Sequence, residues 1–180
     1  MMEKLVTLKD GSEVLFRPSI SQDFEMVWDM FSTLSEESLR FLPHPFIKEE
    51  IERMMININY EELLPIVAIV EEPDSRRRIV AVANLGFQQG VARRHRAEFD
   101  IVVHDDYQGR GLGTMLTQHM IDLARERGLR KVYLKTSTQN LRAIHLYKKM
   151  GFRIEGRLVM EHYHHLRQEF GDDFRMAILL

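Results

Sequence analysis

Residues 108–113, Gln-Gly-Arg-Gly-Leu-Gly, place glycines at alternate positions between a β-prone run and a run with helical spacing. Glycine reaches positive φ without a Cβ clash, so Gly109, Gly111 and Gly113 let the chain turn sharply with its N–H groups aimed inward. The helix that follows adds the positive end of its dipole, and the expected guest is an anion of the phosphate kind. Just upstream, Glu98 and Asp100 alternate with Phe99 and Ile101. Alternate residues of a strand share a face, which sets the two carboxylates roughly 7 Å apart along the chain. Like charges that close raise one pKa and favour a base poised near neutral pH. Ion pairing with Arg93, Arg94 or Arg96 is the competing reading, and a bulge in the strand would break the alternation.

These groups need elements to hold them. Residues 97–103 read as a buried strand leading into the glycine loop, and Leu112, Met115, Leu116, Met120, Leu123 and Ala124 form the apolar stripe of the helix behind it, closed by Gly128. Residues 131–137 read as the next strand, completing a βαβ crossover. Asn140 caps a second helix with Leu141, Ile144, Tyr147 and Met150 on one side and Gly151 at its end. Upstream, residues 6–8 and 14–16 flank a Lys9-Asp10-Gly11-Ser12 turn and predict a hairpin. Phe24, Val27, Trp28, Phe31 and Leu34 predict a helix capped by Ser21, with Trp28 in the core. Short helices follow over residues 35–41, ended by Pro43 and Pro45, and over residues 48–57. Residues 66–70 and 79–83 read as antiparallel strands either side of Pro73-Asp74, and residues 152–160 and 174–179 as the last strands, joined by a polar loop holding His162, His164 and His165.

The chain has 180 residues and a net charge of −2, which fits one domain over residues 1–180 and disfavours a dedicated nucleic-acid binder. It contains no cysteine, which removes disulfide scaffolds, thiol nucleophiles and cysteine zinc sites and suits a cytoplasmic setting. No apolar run approaches the roughly 20 residues of a membrane helix, and the first ten residues lack a signal-peptide core. The histidines complete no zinc spacing, so no metal is expected. Monomer and homodimer both stay open.

Phosphate loops come in several kinds. A Walker loop ends in Gly-Lys-Ser or Gly-Lys-Thr, and Gly113-Thr114 has no such lysine; a dinucleotide loop reads Gly-x-Gly-x-x-Gly early in a Rossmann unit, whereas these glycines alternate and fall late. The pattern Gln-x-x-Gly-x-Gly at residues 108–113 instead resembles the GNAT superfamily of N-acetyltransferases. Residues 140–152, Asn-Leu-Arg-Ala-Ile-His-Leu-Tyr-Lys-Lys-Met-Gly-Phe, are similar to that family's second signature. The two occur in order and at the right spacing, and the resemblance covers roughly residues 64–160 well. Leu34-Ser35-Glu36-Glu37-Ser38, Arg40-Phe41 and Arg96-Ala97-Glu98-Phe99 are similar, less specifically, to the catalytic domain of Pat-type protein-lysine acetyltransferases.

The resemblance implies an α/β (α+β) GNAT fold, with a mixed, mostly antiparallel sheet of six to seven strands and helices on both faces. It implies acetyl-CoA as co-substrate, its pyrophosphate on the backbone N–H groups of Gln108, Gly109, Arg110, Gly111, Leu112, Gly113 and Thr114, with Gln108 and Arg110 adding side-chain donors. Ile101, Val102 and Val103 would offer backbone to the pantetheine arm, a donor N–H near Val103 would meet the oxyanion, and Asn140 and Tyr147 would flank the rest. Acetyl transfer to a lysine-like amine, of reference pKa about 10.4, needs a base, and a thiolate of pKa about 8.5 must be released. By resemblance Glu98 is the first choice for that base and Asp100 the second, while Tyr147 serves the sulfur; a plain core role for Tyr147 is the alternative. Attack is direct, since no cysteine or nucleophile elbow is present. The leading acceptor is a protein lysine. A small amine, an amino acid, a protein N-terminus, or an inactive CoA-binding module are the rivals. The clusters Arg76 to Arg78 and Arg93 to Arg96 read as solvated strand ends, with contact to nucleic acid or the CoA 3′-phosphate as the alternative, and Glu49-Glu50 and Glu61-Glu62 as solvated helix faces, with attraction of a lysine-bearing partner as the alternative.

Overall fold

The computed structural model describes residues 2–42, 46–72, 74–164 and 167–180. Pro43, Pro45, Pro73 and His165 lie outside the described residues. The strands are β1 (Lys4–Thr7), β2 (Glu13–Pro18), β3 (Leu63–Glu71), β4 (Arg77–Phe87), β5 (Arg96–Val103), β6 (Lys131–Ser137), β7 (Arg153–His164) and β8 (Glu169–Leu179). The helices are α1 (Phe24–Ser32), α2 (Glu36–Leu39), α3 (Lys48–Ile56), α4 (Leu112–Glu126) and α5 (Leu141–Lys149). All strands join one eight-stranded sheet in the order β1-β2-β3-β4-β5-β6-β8-β7. That exceeds the expected six to seven, because the β1–β2 hairpin continues the same sheet, Leu15 pairing with Ile69 and Phe16 with Ala68.

Every ladder is antiparallel except β5 with β6, the two ends of the crossover. That parallel pair is joined only at Arg96–Lys131, Ala97–Val132 and Glu98–Tyr133. Beyond Glu98 the strands part: β5 runs on to Val103 paired only with β4, and β6 runs on to Ser137 paired with β8. The sheet is therefore splayed at its centre, and the edge of β5 from Phe99 to Val103 has no partner strand on that side among the described residues.

The core divides by face. Behind the sheet α4 and α5 pack Leu112, Leu116, Met120, Ile144 and Tyr147 toward it, and Ala97, Phe99, Val132 and Leu134 are buried beneath them. In front, α1 and α3 pack Val27, Met30, Ile51 and Met55 on Val67, Ile69 and Val82. Trp28 is partly buried at the rim of this second cluster, not in its centre, and Leu141, at the first helical position of α5, is exposed. Burial of this order, at roughly 25 cal/mol per Å² of apolar surface, is what holds both helical layers to the sheet.

Two sequence expectations change here. Ser21 does not cap α1; a 3-10 turn over Ser21–Asp23 precedes it, and Asp23 holds the turn by accepting from the Ile20 N–H (2.9 Å) and from both terminal nitrogens of Arg17 (2.6 Å each). A carboxylate that meets a guanidinium and an N–H outcompetes a serine hydroxyl at this junction. The histidine stretch is likewise not a loop, because β7 continues through His162 and His164, opposite Gly171 and Glu169.

Candidate active site

The glycine loop begins with a 3-10 turn, Asp105–Tyr107, and ends in α4. Gly109 and Gly111 adopt φ of +78° and +94°, a region where an L side chain is strained, and Gly111 is the residue that caps α4. Gly113 differs: it is helical, and an added Cβ would meet only ordinary contacts at 3.7 and 3.8 Å. The Gln108 N–H is taken by the Asp105 carbonyl. The N–H groups of residues 109–114 find no acceptor among the described residues. Where the sequence leads one to expect seven cradle residues, six N–H groups at this helix N-terminus lack an acceptor among the described residues.

The side chain of Gln108 has another task. Its Nε2 donates to the Val103 carbonyl (3.0 Å) and to Ser38 Oγ (3.0 Å), and its Oε1 accepts from Arg142 (2.6 Å). It braces the end of β5, α2 and α5 together and has no N–H left to give a ligand. Arg110 donates to Asp10 (2.9 Å) and lies over the Tyr107 ring at 4.8 Å. Ser35 and Ser38, singled out above only as resemblance, clasp Asp105: the Ser35 N–H and hydroxyl and the Ser38 hydroxyl donate to its carboxylate at 2.8, 2.7 and 2.6 Å. Partial burial works against ionisation, but these hydrogen bonds hold the Asp105 carboxyl below its usual range. Arg78 is similarly no solvated strand end, since it contacts Asp106 (3.2 Å) and the buried His104 ring (3.0 Å) and so fixes the start of the loop.

The β4–β5 register runs from Ala97 to Val103 without a bulge, so the alternation holds. Ala97 and Phe99 face the core behind, and Glu98 and Asp100 face forward beside the splay. Neither carboxylate forms a salt bridge among the described residues. Glu98 accepts from the Tyr133 hydroxyl (3.2 Å), and the guanidinium groups of Arg96 (5.4 Å) and Arg175 (4.6 Å) both stand over that ring. Asp100 accepts from the Asn84 amide across the ladder (2.7 Å). It keeps an exposed surface along the cleft yet lies among enough protein that burial pushes its carboxyl up to about 6; the Asn84 bond opposes the shift and the charge of Glu98 adds to it.

Further along the same face, Lys135 pairs with Glu161 (2.9 Å) and His162 with Asp173 (2.8 Å). Gly171 permits the second pair, because a Cβ there would sit 2.3 Å from His162 Nε2. Tyr133, Asn84, Lys135 and Asp173 went unassigned at the sequence level. Tyr133 and Lys135 alternate along β6 as Glu98 and Asp100 do along β5, which hints at a shared face, but no short-range signal states that these strands meet.

Tyr147 is buried on α5, its ring edge-on to Phe99 (6.3 Å) and against Phe152 (5.7 Å). Its hydroxyl has no hydrogen-bond partner among the described residues, and burial, with the charge of Asp100, pushes its phenol well above the usual tyrosine range. Asn140 caps α5 by accepting from the Ala143 N–H (3.1 Å), and Gly151 closes it at φ +95° with the Phe152 N–H on the Tyr147 carbonyl (2.9 Å). Among the described residues no group of three or more His, Asp or Glu side chains could hold a metal ion, and no helix is long and apolar enough to cross a membrane.

The pattern of the acetyltransferase (GNAT) family matches residues 27–152, a span that takes in the carboxylate strand, the glycine loop and the Asn140 helix. The chain belongs to the GNAT acetyltransferase family. An acetyltransferase of Pseudomonas aeruginosa is 31% identical over 149 residues, covering 81% of this chain and 78% of the relative. In three dimensions the GNAT fold is shared with the GNAT domain of Streptomyces lividans PAT, at a TM-score of 0.79 and 21% identity, covering 99% of this chain and 97% of that one. It is shared also with a Vibrio cholerae spermidine N-acetyltransferase in complex with CoA and spermine, at a TM-score of 0.74 and 23% identity, covering 92% and 95%. The protein is therefore an N-acetyltransferase of GNAT type, and acetyl-CoA is its co-substrate.

Proposed function

We propose that this GNAT enzyme acetylates a lysine side chain of a protein by direct attack of the amine on the thioester, at the splay between β5 and β6. The observation that carries the proposal is the coincidence, at one gap in the sheet, of an unpaired β5 edge, a loop with free N–H groups, and two forward-facing carboxylates without salt-bridge partners. Acetyl-CoA supplies an activated acyl group and a thiolate leaving group. Residues 109–114 bind its pyrophosphate, and Ile101, Val102 and Val103 give their backbone to the pantetheine arm as a partner strand would. Asn140 and Arg110 border the same cofactor, the first by setting the start of α5 and the second through the loop it belongs to.

Glu98 takes the amine proton, directly or through water, with Tyr133 orienting its carboxylate. A second reading exchanges the carboxylates and is favoured by the upward shift of Asp100, which places that group near the pH where a base works best. Tyr147 keeps its proton across the neutral range. Full transfer to a thiolate of pKa about 8.5 would run uphill from so shifted a phenol, so its contribution is a hydrogen bond to the sulfur. An N–H near Val103 serves the developing oxyanion.

The open approach to Asp100 suits a side chain presented by a larger partner. Polyamines are the competing acceptors, favoured by Glu161 and Asp173 on the same face. Turnover of acetyl-CoA with lysine peptides, peptides bearing only a free α-amine, amino acids and spermidine decides. The lysine reading fails if spermidine exceeds the best peptide about ten-fold in kcat/KM. The enzymatic assignment of these residues fails if CoA binds but no amine is acetylated.

A further inference from the structure

We propose that Lys9, at the tip of the β1–β2 hairpin, is a phosphate ligand of acetyl-CoA, so that the hairpin forms one wall of the donor site. The inference rests on the reading of residues 109–114 as the phosphate cradle. The turn that carries Lys9 is rigidly made: the Leu8 N–H donates to the Ser12 carbonyl (2.8 Å), the Gly11 N–H to the Leu8 carbonyl (3.0 Å), and the Ser12 N–H to the Asp10 carboxylate (3.0 Å). Leu8 is buried beneath it, and Gly11 turns the chain at φ +88°. The other oxygen of Asp10 takes the Arg110 guanidinium (2.9 Å), which fastens the hairpin tip to the glycine loop.

That fastening lays Lys9 across the loop. Its Cε stands 3.8 Å from the position a Cβ on Gly111 would occupy, an ordinary contact distance, so the Lys9 stem lies beside the residue that caps α4. The arginines that contact the loop and the turn before it are committed: Arg110 to Asp10, Arg142 to Gln108 and Arg78 to Asp106. Lys9 has no ion pair or hydrogen bond among the described residues, and it is exposed. An unpaired ammonium beside six unpaired N–H groups is a combination a phosphate satisfies on both sides, the backbone providing directed hydrogen bonds and the lysine a mobile point charge. The phosphate is either one of the pyrophosphate pair or the 3′-phosphate of the nucleotide.

The test is steady-state kinetics of the full chain with Lys9→Met and Lys9→Arg, using acetyl-CoA and acetyl-dephospho-CoA as donors. Lys9→Met is expected to raise the KM for acetyl-CoA about ten-fold at low salt with kcat unchanged, the gap narrowing as ionic strength rises, and Lys9→Arg to restore most of the loss. If the loss persists with acetyl-dephospho-CoA the contact is to the pyrophosphate, and if it vanishes the contact is to the 3′-phosphate. A KM within two-fold of wild type in Lys9→Met, or a loss confined to kcat, overturns the proposal. Gly109→Ala separates this from the loop reading: if it too leaves KM unchanged the cradle itself is misplaced, whereas if it raises KM while Lys9→Met does not, only the lysine assignment falls.

Discussion

The donor side and the acceptor side of the splay are built on different principles. On the proposed donor side the groups on offer are backbone: the N–H groups of residues 109–114 and the open edge of β5, held by left-handed glycines, a helix start and the Gln108 brace. On the proposed acceptor side they are side chains, drawn from β4, β5, β6, β7 and β8 and set against one another by register. A backbone site depends on conformation and tolerates changes of side chain that keep φ and ψ. A side-chain site depends on identity at each position and tolerates almost none, because one lost partner leaves another charge or hydroxyl unmatched.

The contrast can be broken first at the carboxylates. Glu98→Gln is expected to lower kcat roughly 10²- to 10⁴-fold, the usual span for losing a general base, with the KM for acetyl-CoA unchanged. Asp100→Asn should cost less, and if it costs more the two roles are exchanged. Burial pushes the Asp100 carboxyl up to about 6, so under the reading in which Asp100 acts as an anion kcat/KM should be present above that pH and fall as the pH drops through it. That limb should disappear in Asp100→Asn, and a profile indifferent to the substitution would remove Asp100 from the chemistry. Next in size is Tyr147→Phe, expected to reduce kcat roughly ten-fold, about the worth of one hydrogen bond at 1.4 kcal/mol, while leaving the unfolding midpoint in place because the hydroxyl has no hydrogen-bond partner among the described residues. An unchanged kcat would return Tyr147 to the core.

The donor side offers the smaller and more discriminating test. Gly109→Ala puts a Cβ where nothing obstructs it, so its cost is purely conformational, about 1–2 kcal/mol of left-handed strain, and the KM for acetyl-CoA should rise roughly five-fold with kcat held. Gly113→Ala sits in helical backbone with room for the methyl group, and its unfolding midpoint should equal or exceed that of wild type. Equal damage from both would mean that the loop is read by its side chains, and the contrast would collapse.

The same division explains what could be read in the chain beforehand. Glycines, caps and periodicity are local, so the loop, α4 with its Gly128 cap and α5 between Asn140 and Gly151 all stood where spacing put them. Here the Gly128 N–H meets the Arg125 carbonyl and the Leu129 N–H the Ala124 carbonyl, the bonds that such a glycine announces. The sharing of one face by Glu98 and Asp100 was equally local. What stayed hidden depended on which strand lies beside which. Tyr133 reaches Glu98 only because β6 returns parallel to β5, and Asp173 faces the same way only because β8 inserts between β6 and β7. The role of Gln108 was misjudged for a related reason, since its amide is spent on Ser38 and Arg142, residues far away in the chain.

The short joint between β5 and β6 also makes the sheet a pair of jaws. One jaw is β1 to β5 and the other β6 to β8, each a continuous stretch of chain, and they are clamped along Arg96, Ala97 and Glu98. With strands advancing about 3.3 Å per residue, a small rotation at that clamp would be magnified toward Val103 and Ser137, the open ends that flank the proposed acyl position. Were the two parts to rotate, packing at that joint, including the Leu180 N–H on the Arg130 carbonyl (3.1 Å), would act on acyl length through residues away from the splay. Substituting Ala97 with Val, buried at the clamp, should change the ratio of acetyl- to propionyl-CoA turnover more than it changes either KM, and an unmoved ratio would show the jaws to be fixed.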